Sequence, residues 1–304
     1  MSSSHTVSLP ACWVDADHFE RAFSSLSDDC THLTIIFPQR CSVMVDASLR
    51  ILSLVNQFSS TNKSVELHFL EYDSGAMGYL NRIGFFDLLH SEDKIRVFPS
   101  KPAYSGAKLY TGNNSGTVEI CHVVNTSKSN KEIPRRLAAA IAQNRNITKD
   151  VENDIWVILA ELIDNIPTHS ESQIGGYATL QTYRGGNKLK VAVSDSGLGV
   201  LTTLRPALAA QRAAEALLDD TSLLLEMFRV GISRLGYGRG HGLKESAAIA
   251  IKYNAKLDVR LAKSRIKLHP SADGYTPHLA YCSNNLPYLA GTHFCFTFPL
   301  DSSR

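Results

Sequence analysis

Four glycines at alternate positions, in Gly236-Tyr237-Gly238-Arg239-Gly240-His241-Gly242-Leu243, limit what this chain can become. Glycine in a strand or helix interior costs backbone entropy and packs nothing. Such a run suits a backbone that comes close to a ligand with its N–H groups unshielded. Residues 243–253 then read as a helix, with apolar side chains at 247, 248, 250 and 251. A glycine turn that opens a helix aims unpaired amides and the positive dipole end at one point, which suits phosphate.

Two common nucleotide patterns fail here. The Walker A loop needs Gly-Lys-Ser/Thr at its end, and Leu243 separates Gly242 from Lys244. The dinucleotide pattern Gly-x-Gly-x-x-Gly ends on His241 when started at Gly236, and it is also wrong from Gly238. What remains is Gly-x-Gly-x-Gly-Leu over Gly238, Gly240, Gly242 and Leu243. A phosphate loop of that form predicts two earlier motifs.

The first lies on a helix expected over residues 150–170. Glu161, Asn165 and His169 are four apart and share one face. An amide carbonyl is a hard oxygen ligand suited to Mg²⁺, and a carboxylate one turn away can orient or deprotonate a water. The Glu-x-x-x-Asn spacing alone arises about once by chance in such a length. Pro167 should kink or end this helix. The second motif follows two strands, residues 176–183 and 188–194, and reads Asp195-Ser196-Gly197-Leu198-Gly199. Asp195 at a strand end can accept the exocyclic N–H of adenine, where guanine would present an acceptor oxygen. Gly197 and Gly199 let the backbone pass against a base; the plainer reading is an Asp-x-Gly turn.

The ordered set resembles the GHKL superfamily of ATP-binding domains over about residues 132–300, including the closing strand from Gly291 to Pro299. The resemblance implies a two-layer α/β sandwich, helices on a mixed sheet, with Mg²⁺ and ATP as cofactors. It makes Glu161 the catalytic carboxylate, Asn165 the metal ligand and Asp195 the adenine reader. Gly197 and Gly199 lie under the base, Gly238, Gly240, His241, Gly242 and Leu243 form the phosphate loop, and Thr292 supports the adenine contact. His169 matches a frequent Asn-x-x-x-His pattern, or is a surface histidine at a helix end. Residues 200–237 read as a lid containing a helix over 215–228, and Arg229, Arg234 or Arg239 reaches the γ-phosphate when the lid closes. The helix expected over 134–144 has no histidine, which excludes an autokinase.

Residues 1–98 alternate short apolar strands with helices, the pattern of a small α/β domain. Expected helices cover 15–26, 45–58 and 78–89; Asp15 caps the first. Met44-Val45-Asp46-Ala47-Ser48-Leu49 and Leu80-Asn81-Arg82-Ile83-Gly84-Phe85 resemble the STAS domain. That places Ser48 where the family carries a phosphorylated serine. Read by residue type alone, Asp46 is a helix cap and Ser48 a first-turn residue. Residues 99–131, rich in Ser, Gly, Asn and Pro, form a connecting segment with one strand over 117–124, and 132–304 form the ATP-binding domain.

Charge divides with these parts. Residues 1–98 carry 7 Lys/Arg against 12 Asp/Glu, and the remainder 24 against 17. A basic part suits a triphosphate; alternatively the two parts attract each other or are solvated. Lys256, Arg260, Lys263, Arg265 and Lys267 fall on expected strands and read as a solvated face, which makes nucleic acid a weak reading. The six cysteines contain no C-x-x-C pair and fit free thiols in a reducing compartment. No secretory signal and no apolar run of membrane length is apparent, so the cytoplasm is expected. The functional expectation is a slow Mg²⁺-dependent ATPase that switches a protein partner, engaged through the STAS-like domain; homodimerisation stays open. An anti-sigma-type serine kinase acting on a STAS partner or on Ser48, and an ATP sensor without turnover, are the alternatives.

Overall fold

The structure, a computed structural model, describes residues 3–71, 75–110, 116–124, 128–141, 147–169, 172, 174–232 and 241–300. Its first part runs β1 (Ser3–Ser8), β2 (Trp13–Val14), α1 (Ala16–Phe23), β3 (Cys30–Phe37), β4 (Ser42–Val43), α2 (Val45–Ser60), β5 (Ser64–Phe69), α3 (Gly75–Arg82) and β6 (Ile95–Phe98). Strands β1, β3, β5 and β6 form a parallel sheet in that order, and β2 pairs with β4. Each crossover advances one place the same way, so right-handed connections put the helices on one face. Burial follows: Leu33, Ile35 and Phe37 of β3 and Val65, Leu67 and Phe69 of β5 are buried, while their alternate neighbours are half-buried. Asp15 caps α1 by accepting from the His18 amide at 3.1 Å, as expected.

The second part adds α4 (Gly106–Tyr110), β7 (Cys121–Val123), α5 (Ile133–Ile141), α6 (Lys149–His169), β8 (Gly176–Tyr183), β9 (Lys188–Asp195), α7 (Val200–Ala210), α8 (Asp220–Val230), α9 (His241–Lys252), β10 (Lys256–Arg260), β11 (Arg265–Ser271), β12 (Gly274–Pro277) and β13 (His293–Pro299). The sheet order is β12-β11-β10-β13-β9-β8-β7. Every junction is antiparallel, not mixed as expected, because β11 and β12 pair as neighbours and β13 returns between β9 and β10. The chain is thus mixed α/β, with one parallel and one antiparallel sheet. Strand β7 comes from the connecting segment, so that segment is part of the sheet.

Alternation in β9 sorts two cores. Leu189, Val191 and Val193 face a helix layer with α5, α6, α7, α8 and α9, whereas Ala192 joins Tyr177, Tyr183 and Cys295 in a core shared with the first part. Helix α2 packs on β5 on one side and on β8 and β9 on the other. Fourteen of its 16 residues are therefore buried, six of them polar or charged: Asp46, Ser48, Arg50, Ser53, Asn56 and Ser59.

Two expectations change at α2. Met44 is the N-cap residue and makes no side-chain cap, so Asp46 is not the cap. Asp46 instead accepts from the Ala16 amide at 3.1 Å and from Lys190 Nζ at 2.6 Å. Ser48 is 0% exposed and donates to the Met44 carbonyl at 3.0 Å. Held between two sheets, its hydroxyl is closed to a kinase in this fold.

The basic strands are a solvated face only in part: Lys256 and Lys263 are exposed, whereas Arg260 and Arg265 are not. Arg50 of α2 donates to Glu20 at 2.8 Å and to Asp258 at 2.5 Å; Arg260 reaches Glu20 at 3.1 Å. Arg265 pairs with Asp258 and, at 2.5 Å, with Asp17, which also meets Lys267 at 3.0 Å. Arg260 and Arg265 are buried. The acidic first part and basic second part therefore attract each other across a common interface, where each buried charge needs its partner.

Candidate nucleotide site

The site is built on α6. Glu161 and Asn165 lie one turn apart, both half-buried, and neither side chain makes a hydrogen bond among the described residues. Lys252 and Tyr253 each meet Asp154 at 2.7 Å near the start of α6. The other end of α9 reaches Glu161, so the two helices run antiparallel. This arrangement turns the positive N-terminal end of α9 toward the level of Asn165. At Gly242 a Cβ would lie 1.7 Å from Glu161 Oε2 and 2.4 Å from its Cδ, so only glycine leaves that carboxylate its place.

Burial raises the Glu161 carboxyl above its ordinary range, and repulsion from Glu245 and Asp164 raises it further. A half-buried acid held in this way is easier to protonate near neutral pH than a free one, which suits a group that accepts a proton.

The second cluster closes β9. Asp195 accepts from the Gly197 amide at 2.8 Å, the Asp-x-Gly turn expected from the sequence. The Asp195 amide donates to the Thr292 carbonyl at 3.0 Å. The Thr292 hydroxyl accepts from the Val200 amide at 2.8 Å, tying the first turn of α7 to β13. Gly199, at φ 86°, precedes α7, and a Cβ there would meet the Gly291 carbonyl at 3.0 Å. Gly291 has φ 91° and faces Asp195 so closely that a Cβ would lie 1.9 Å from its carbonyl oxygen.

Helix α6 joins the clusters. Ile166, the residue after Asn165, packs on Gly176, where a Cβ would lie 2.7 Å from Ile166 Cδ1 and 2.5 Å from the Ser194 carbonyl. Gly176 is also the cross-strand partner of Asp195. Thus Gly242 meets Glu161 on α6, and through Ile166 the same helix reaches the strand pair that ends in Asp195, where Gly197, Gly199 and Thr292 cluster. His241 and Leu243 open α9 beside them. Gly238 and Gly240, with Arg234 and Arg239, lie outside the described residues, as does the His169 side chain. Arg229 is exposed and forks onto Glu226 at 3.0 and 2.7 Å, so it does not point into the site. Pro167 does not end α6 at once; the helix continues to His169.

Gly291, Gly176 and Glu245 were not foreseen as part of the site. The one signal for Gly291 was its place just before Thr292. The lid region holds more than the one helix expected over 215–228: α7 and α8 flank a short 3₁₀ turn, with Leu201, Leu204, Leu208, Leu223 and Leu224 buried. Beside the Ser196-Gly197-Leu198 turn, a cleft of about 600 Å³ opens toward Gln57 and Phe58 of α2 and Tyr288.

No protein-family model matches the chain, and no curated protein matches it. Among the described residues, no group of His, Cys, Asp and Glu is arranged to hold a metal, and no helix is long and apolar enough to cross a membrane.

Proposed function

We propose that the chain is an Mg-ATP-binding protein of the GHKL type, a slow ATPase whose nucleotide state switches a protein partner. One observation carries the reading: Gly242 of α9 closes on Glu161 of α6, and Ile166, next to Asn165, closes on Gly176, the cross-strand partner of Asp195. The donor set fits the ligand. Asp195 offers a carboxylate at the end of β9, the start of α9 offers a positive helix end, and Asn165 offers an amide oxygen that has no partner among the described residues.

In this reading Asp195 accepts the adenine amine and rejects guanine, whose oxygen would face a carboxylate. Bound Mg²⁺, ligated by the Asn165 oxygen, would supply charge neutralisation on the phosphates. Glu161 orients a water and takes its proton, a role its raised carboxyl suits. Gly197 and Gly199 keep the base surface free of side chains, and Thr292 fixes the turn beneath it.

Incubation of the full chain with labelled Mg-ATP tests this. Release of free phosphate is expected. Label transferred to serine on a STAS-domain partner would make it a kinase, and ATP retained intact would make it a sensor. Absence of calorimetric heat with millimolar ATP and Mg²⁺ would overturn nucleotide binding altogether.

A further inference from the structure

A second cavity lies on the opposite face of the seven-stranded sheet. Cross-strand register sets Lys190 of β9 beside Thr297 of β13, and Thr297 beside Lys256 of β10. Lys188 lies two residues before Lys190 and so shares that face. The start of α1 and Asp46 of α2 close the other side. The cavity has a volume of about 420 Å³, with His269, His278 and Tyr281 along one wall.

Its charges do not balance locally. Asp46 is taken by Lys190 at 2.6 Å, Asp17 by Arg265 and Lys267, Asp258 by Arg50 and Arg265, and Asp15 by His18 at 2.6 Å. Lys188 and Lys256, at the outer row, have no carboxylate partner among the described residues. Lys188 Nζ lies 5.8 Å from the centre of the Tyr183 ring. The inner rows of the sheet are neutralised by the first part of the chain; the outer row is not. His269 reports the resulting field: burial lowers its pKa, and Lys256, His278 and Lys267 lower it further.

We propose that this cavity binds a small organic phosphate, a phosphomonoester with a compact carbon body. Two ammonium groups and the Thr297 hydroxyl match a group that is dianionic above about pH 6 and presents three acceptor oxygens. A single carboxylate could accept from both lysines but would neutralise only one of their two charges. Phosphate alone would leave most of the cavity unfilled, since pockets of a few hundred Å³ hold whole small molecules. The body has an aromatic wall to lie on: His269 and His278 centroids are 4.7 Å apart, and His278 and Tyr281 4.8 Å. The inference does not rest on the nucleotide reading, and the two fail separately.

The test is calorimetric titration of the full chain with glucose 6-phosphate, ribose 5-phosphate and glycerol 3-phosphate, against inorganic phosphate and glucose. At least one phosphomonoester should bind with micromolar to millimolar affinity and outcompete both controls. Lys188→Gln and Lys256→Gln, both at the cavity rim, should keep the wild-type melting temperature and each weaken binding about tenfold. Binding should persist with saturating Mg-ATP present. No heat with any of the three esters, equal affinity for inorganic phosphate, unchanged affinity in both lysine variants, or competition by ATP would each overturn the assignment.

Discussion

Glu161 occupies the space that any side chain at position 242 would need: its Oε2 lies 1.7 Å from the Cβ that Gly242 lacks. The obstructing atom is the tip of a mobile side chain, so Gly242→Ala need not disturb the backbone. Glu161 swings aside instead. Stability should change by less than about 1 kcal/mol, since alanine also favours the helix. The carboxylate, however, is misplaced by an ångström or more, and hydrolysis of ATP should fall by about 100-fold. Denaturant unfolding and a phosphate-release assay separate the two effects. Wild-type turnover in Gly242→Ala would remove Glu161 from the mechanism.

Gly291 behaves oppositely. Its obstruction is backbone, the Asp195 carbonyl at 1.9 Å, and its φ of 91° strains any other residue. Gly291→Ala should cost about 3 kcal/mol, the sum of strain and displaced backbone. Chemical denaturation should show it as a lower midpoint with an unchanged slope. A loss below about 1 kcal/mol would mean that the β9–β13 junction relaxes easily.

The pH dependence of stability reports on Glu161. Burial first, and Glu245 and Asp164 second, raise its carboxyl above 4.5. A carboxyl that holds its proton more tightly when folded favours the native state most below its unfolded pKa. That advantage is lost as pH rises through the folded value. Glu161→Gln removes this loss. Its melting temperature should equal wild type near about pH 4 and exceed it at about pH 7. Calorimetric scans across that range decide it; a gain confined to acid pH would reverse the assigned sign.

Asp258 anchors the interface between the two parts. Burial alone would push its carboxyl up, but Arg50 and Arg265 outweigh burial and hold it well below the usual carboxylate range. Asp258→Asn leaves two buried guanidinium groups short of a counter-charge and should cost about 3–5 kcal/mol. The whole chain should still melt in one transition, because the core is shared across both parts. Separate melting of the two parts would contradict this.

Asp195→Asn probes base recognition without changing shape. An amide in place of the carboxylate can turn a donor toward the adenine amine, leaving a buried contact unsatisfied. ATP affinity should weaken by about 1–3 kcal/mol, measured by calorimetry. Unchanged affinity would remove Asp195 as the reader.

Much of this was legible before the structure. Strand β9 announced itself by alternation, and the glycines after Asp195 and before Leu243 stood out as turn or close-approach positions. Helix α7 was hidden because Val200 to Ala210 follows a glycine motif and carries Pro206, so the lid was given no helix there. The charges on β10 and β11 were misread for a different reason. Arg260 finds Glu20, and Arg265 finds Asp17 beside the nearer Asp258, from more than 200 residues away in sequence, and no local pattern encodes that meeting. Asp46 was misread as a cap for the same reason, its partner Lys190 being 144 residues on.

Helix α2 has no outside. A chain cut between the parallel and antiparallel sheets would strip one flank from it, baring Arg50 and Asn56 along with the leucines, and neither fragment should remain in solution by itself. The buried residues of α2 are shared between two sheets, so a change that suits one sheet is constrained by the other. Any signal that shifts this helix moves both sheets together.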